Sequence, residues 1–181
     1  MKKRRTLIIS LLLVAALCLG VGYAVTNGNV KVTGEVYNAP HDLNLVFVES
    51  GCSLTAAHIN GESVTDPATT GSTVSVVDGA ISATFNVNGI SHTGDSVTAT
   101  FMVKNNNQYK VKITSIVPEI VGGSASAFFT VTPTWLGGYQ LNDELDAGET
   151  ASFTLTVEMN KITAEELDGD FVVTVNAQSA S

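Results

Sequence analysis

The chain reads as an all-β protein: a single β-sandwich, of jelly-roll or Greek-key type, with one short helix between its last two strands. Three observations predict this. Short runs alternate apolar and polar residues with period two, as in Phe153-Thr-Leu-Thr-Val157 and Val97-Thr-Ala-Thr-Phe101. Turn residues separate these runs at roughly regular spacing. The composition is rich in Thr, Val, Ser, Ala, Gly and Asn, with one Trp, which suits strands with Thr- and Ser-bearing solvent faces. A single sheet would leave one apolar face wet, so two layers are expected.

The N-terminus predicts export. Lys2, Lys3, Arg4 and Arg5 precede an apolar run from Leu7 to Val21, broken only by Ser10 and Gly20, and Gly22-Tyr23-Ala24 follows. A basic start, an apolar stretch and small residues at −3 and −1 describe an export signal cut between Ala24 and Val25. Leu7–Ala24 spans eighteen residues, near the minimum for a membrane-spanning helix, so an uncleaved anchor is the alternative reading. Residues 1–24 are thus a signal peptide, and residues 25–181 one β-sandwich domain. The membrane is met only through the N-terminal segment, and the expected location is extracellular or at the cell surface.

Removing residues 1–24 takes four of nine basic residues and none of seventeen acids. That leaves 157 residues with five basic and seventeen acidic side chains, a net charge of −12. Such a charge repels nucleic acid and anionic membrane surfaces. Cys18 leaves with the signal, so Cys52 stands alone and no intrachain disulfide can form.

The strands follow in order. Val30–Tyr37 alternates, with Val30, Val32 and Val36 on one side, and Pro40 ends it. Leu43–Glu49 is more uniformly apolar. Residues 50–73, rich in Gly, Ser, Thr and Ala, read as a long loop with room for a short strand or turn. Val74–Val77 and Ala80–Val87 flank Asp78-Gly79, a two-residue signal for a type I′ hairpin turn. Further strands are expected over Ser96–Val103, Tyr109–Val117, Ala127–Thr132, Ser152–Met159 and Phe171–Ala177. Between the last two, Thr163-Ala-Glu-Glu166 is a capping box, predicting a helix of one or two turns that Gly169 stops.

Three stretches carry a family resemblance. They are the signal ending Gly-Val-Gly-Tyr-Ala24 followed by Asn29-Val-Lys-Val-Thr-Gly34; His92-Thr-Gly-Asp-Ser-Val-Thr-Ala-Thr-Phe-Met-Val-Lys-Asn-Asn106; and Leu145-Asp-Ala-Gly-Glu-Thr-Ala-Ser-Phe-Thr-Leu-Thr-Val157. Together they resemble the TasA/camelysin-like group of exported Gram-positive proteins with ER-type (SipW-like) signal peptides. In that family a Pro-Gly-Asp/Glu-Ser motif introduces a strand running into a Lys-Asn pair; here Thr93 stands in place of the Pro. The resemblance covers the signal and roughly residues 90–177, while residues 38–75 match nothing in it. It implies a jelly-roll fold, a cell-surface or biofilm-matrix location, and fibre assembly in which an N-terminal strand completes the sheet of the next subunit. Val30, Val32 and Val36 then mark the candidate donor strand. The expected partners are further copies of the chain or a related matrix subunit, with signal peptidase and the secretion machinery.

Other chemistry finds little support. No His-Glu-x-x-His helix exists, and His41, His58 and His92 lie far apart without a second ligand at metal spacing. No Gly-x-Ser-x-Gly elbow is present. A metallopeptidase reading therefore rests on family labelling alone, no cofactor is called for, and a non-enzymatic protein is expected. A secreted binding module is the alternative. It would hold calcium in the acidic loops Asn142–Glu149 and Glu165–Asp170, or a glycan on Trp135 with Tyr139. For Cys52, a Cys–His pair with His58 competes with a plain half-buried apolar role.

Overall fold

Along Ser96–Asn105 every second side chain is buried, and the same rhythm runs through Thr150–Met159 and Ser82–Ile90. These are strands with one face on a core and one facing out. The computed structural model describes residues 30–39, 43–121, 127–161 and 167–180. Twelve strands occur among them: β1 Val30–Ala39, β2 Leu45–Phe47, β3 Ser53–Ile59, β4 Glu62–Ser63, β5 Thr73–Val76, β6 Ser82–Ile90, β7 Ser96–Asn105, β8 Val111–Val121, β9 Phe129–Trp135, β10 Glu144–Leu145, β11 Thr150–Met159 and β12 Leu167–Ser179. The helical elements lying wholly within these residues are two 3-10 turns, Glu49–Gly51 and Pro67–Thr70.

The strands form two sheets. The first has the order β10-β8-β12-β1-β6-β5; the second has β4-β3-β7-β11-β9, with β2 also on β7. Every pairing is antiparallel except that of β1 with β12, which is parallel. The inward side chains of both sheets meet in one apolar cluster. Its centre is aromatic: Phe85 of the first sheet meets Phe101 of the second edge-on at 6.1 Å, and Phe101 stacks on Phe153 at 5.7 Å. Phe47 adds a third contact on Phe101 at 6.2 Å.

Several expectations are corrected in detail. Residues 50–73 hold the seven-residue β3, whose residues mostly lack the alternation of a half-buried strand, because only Ala57 along it is buried. At Asn60-Gly61 the chain makes the tight turn from β3 to β4, with positive φ at both residues (55° and 79°). That is the I′ signature, and it is the site of the two-residue hairpin. At Asp78-Gly79 only Gly79 has positive φ, and the Ala80 N–H donates to the Val77 carbonyl at 2.9 Å. The β5–β6 connection is therefore a wider turn rather than type I′. Its outer groups pair with β2: the Phe47 N–H donates to Ala80 O and the Gly79 N–H to Phe47 O. β8 runs through Pro118 to Val121, which is tolerated because β10 covers β8 only at Val111 and Lys112 and leaves the rest an open edge. Residues 162–166, which carry the capping box, lie outside the described residues. Gly169, expected to stop a helix, lies within β12 opposite Val32.

Two buried polar residues knot the loops. The Asp95 carboxylate, 1% exposed, accepts the backbone N–H of Asn60 (2.7 Å), Ser91 (2.9 Å) and His92 (2.8 Å). Asn105, fully buried, donates its amide to the carbonyls of Tyr109, Leu145 and Asp146 at 2.8–3.1 Å and accepts from Asn107. One stands just before β7 and the other at its end, and both satisfy backbone groups that would otherwise lack a partner.

Candidate functional site

The most informative placement is that of the N-terminal strand. Although first among the described residues, β1 is an inner strand: it pairs along its whole length with β12 on one side and, from Val30 to Tyr37 with a register shift after Val30, with β6 on the other. Val30 stands opposite Leu167 and Ile90, Val32 opposite Gly169 and Val87, and Val36 opposite Val173 and Ala83. The flanking rows are core: Ala83, Phe85, Val87, Phe171, Val173 and Val175 are all buried. Taking β1 out would open a slot one strand wide through the first sheet and unpair two ladders. Ala24 and Val25, the expected cleavage junction, lie outside the described residues.

At the middle of this slot Gly34 stands opposite both Phe85 and Phe171. Those two rings meet edge-on, with centroids 6.1 Å apart. Strands flanking a third lie about 9.5 Å apart, twice the usual interstrand spacing. The rings therefore reach toward each other across β1, above the one residue in it without a side chain.

The outer borders of the sheets differ in how open they are. β9 carries Pro133 and β8 Pro118, each removing a donor from an edge. β3 has a bulge between Leu54 and Ala56. Neither device is present in β5; it borders an open groove of about 910 Å³ lined by Val48, Cys52, Val74 and Val76, with Val77 beyond it 74% exposed.

The residues singled out for chemistry are dispersed or already engaged. Cys52 is half-buried, and burial raises its thiol above the ordinary range, with a weak hydrogen bond from the Met102 N–H partly opposing. His58 lies near the far end of β3, about 20 Å along an extended chain, so no Cys–His pair forms. His58 pairs in register with Ser96, next to Asp95, which brings it to the same corner as His92. The His92 ring meets the Ser91 hydroxyl at 2.9 Å, and Asp95 is taken up by backbone N–H groups. His41 lies outside the described residues. Among the described residues no three His, Cys, Asp or Glu side chains gather as a metal site would require.

The acidic loop is likewise spoken for. Asp143 accepts the Gln140 N–H and Glu149 the Asp146 N–H, each at 2.8 Å. Lys110 bridges Glu144 (3.3 Å) and Asp146 (2.9 Å), and Lys112 approaches Glu144 at 3.5 Å. Of the second acidic stretch, Asp168 and Asp170 lie in β12 opposite Lys31 and Thr33, while Glu165 and Glu166 lie outside the described residues. Trp135 is half-buried, tilted against Tyr139 at 4.7 Å and edge-on to Phe153 at 5.6 Å. The Tyr139 hydroxyl donates to Asp143 O, and burial raises its ionisation above the ordinary tyrosine range.

The all-β architecture in two mainly antiparallel sheets, without a long helix among the described residues, defines the class of the protein as far as geometry goes. In comparison with known proteins, no family model matches the chain and no curated protein matches it in sequence.

Proposed function

We propose that this chain is an exported structural protein of the cell surface or extracellular matrix, a two-layer jelly-roll sandwich that self-associates into fibres by strand exchange. In this reading β1 of one copy fills the slot between β6 and β12 of the next. The observation that carries it is the position of β1: the first strand among the described residues, held as an inner member of a sheet, with both neighbours supplied by distant parts of the chain. Moving such a strand between copies conserves every ladder bond and every apolar contact, so closed and exchanged forms differ little in energy. The basic-then-apolar leader supports export, and the resemblance to the TasA/camelysin-like group supports a matrix role. The mechanism needs no metal, cofactor or nucleophile.

Disulfide trapping tests it. Glu35 and Thr84 are directly paired in antiparallel register, within the span a disulfide bridges. With Cys18 and Cys52 changed to Ser, the Glu35→Cys/Thr84→Cys chain is concentrated, oxidised and run without reductant. Exchange yields a covalent ladder that grows with concentration. A single monomer band carrying an internal disulfide at every concentration overturns the proposal.

A further inference from the structure

Glycine weakens the interior of a strand by roughly 0.5–1 kcal/mol relative to alanine and commonly marks a close approach by another group. Gly34 occupies the middle of the ten-residue β1, flanked by pairing on both sides, where that cost is least expected. No turn or chain end accounts for it. What stands there is the meeting of Phe85 and Phe171, both buried, at 6.1 Å with planes at 83°. Directly opposed residues point to the same face of a sheet, so any side chain at position 34 would rise into the gap that the two rings close.

We propose that Gly34 is the recognition key of the β6–β12 slot. The Phe85–Phe171 pair forms a bar across it that admits only a strand presenting glycine at that point. This rests on the strand-exchange reading above and adds to it what the slot selects: the first strand of another copy of this chain, in one register. A strand shifted by two residues would set Val32 or Val36 under the bar, and a shift by one would turn every residue to the opposite face. The apolar residues of β1 are Val30, Val32, Val36, Tyr37 and Ala39, an ordinary strand pattern. The gap at 34 gives this one an identity.

The Glu35→Cys/Thr84→Cys full-length chain serves again, now carrying Gly34→Val. The expected result is a loss of about tenfold in cross-linking between positions 35 and 84, in monomer and ladder alike, the scale of an overpacked core site. Adding Phe85→Ala, which removes half of the bar, should restore cross-linking to within about twofold of the Phe85→Ala chain bearing Gly34. That rescue separates a steric key from a chain that merely misfolds. Undiminished cross-linking by Gly34→Val, or a Gly34→Val defect that Phe85→Ala leaves in place, overturns the key. A monomer-only pattern that still depends on residue 34 upholds the key and overturns exchange between copies.

Discussion

The carboxylate of Asp95, immediately before β7, accepts the backbone N–H of Asn60 at 2.7 Å, tying the β3–β4 turn to the β6–β7 loop. The same carboxylate takes two further N–H groups, from Ser91 and His92. Replacing it with Ala would leave three donors short of a partner in a site 1% exposed to solvent. Asp95→Ala should cost about 3–5 kcal/mol in denaturant unfolding, and Asp95→Asn, which keeps one acceptor oxygen, roughly half as much. Equal, small losses for both would show that the loop finds other partners.

Asn105 makes the opposite demand, because its amide faces three carbonyls. Asn105→Asp would turn an oxygen toward them, and a buried carboxylate there is held protonated, its pKa raised. The destabilisation should reach about 3–5 kcal/mol at neutral pH and shrink as the pH falls, because below its ordinary pKa the same carboxyl no longer gains by ionising in the unfolded chain. Melting curves at pH 4 and pH 7 separate this variant from Asn105→Ala, whose deficit should be the same at both.

Burial raises the Cys52 thiol, so the folded state favours its neutral form. That contribution to stability is complete below the thiol's value in the unfolded chain and is lost as the pH climbs through the higher folded value. Cys52 should alkylate more slowly in the folded protein than in urea at pH 8.5. Cys52→Ser should flatten the alkaline end of the stability profile. Folded-state alkylation as fast as in urea would place the thiol in open water instead.

Pro133 sits in β9, the outermost strand of the second sheet, paired only through Leu155. Pro133→Thr would add an outward N–H to that border. The fold's own stability should move by less than about 0.5 kcal/mol, while light scattering at high concentration should rise as edges find one another. Unchanged scattering would mean that the residues beside β9, rather than the missing donor, guard this edge.

What the sequence makes legible is periodicity. Strands with one face on the core, such as β7, β11 and the inward rows of β6 and β12, announce themselves by alternation, and their bounds are found to within a few residues. β3 does not, because a border strand made of Ser, Thr and Ala buries only Ala57 and has no reason to alternate. Asn60-Gly61 carried the stronger hairpin signal but lay inside a stretch without apolar rhythm, whereas Asp78-Gly79 lay between two good strands. The pairing of β1 with β12 leaves no local mark at all, since parallel partners are set by the whole topology. Gly34 could have been noticed as a glycine in mid-strand, but the two rings that give it meaning come from residues 85 and 171. The acidic and aromatic candidates show the converse: sequence places carboxylates and rings together, and the structure then uses them on its own backbone, lysines and core.

The parallel pairing of β1 with β12 has a bearing on the timing of folding. β1 gains its partner β12 only when residues 167–179 are available. The most distant contact in the described chain is thus one that completes a sheet, which makes folding slow and postpones it until β12 has been made. For a polypeptide threaded through a narrow translocation pore, such lateness is useful. On the proposed export route, it would keep the chain pliable on the inner side until β1 and β12 had reached the same compartment.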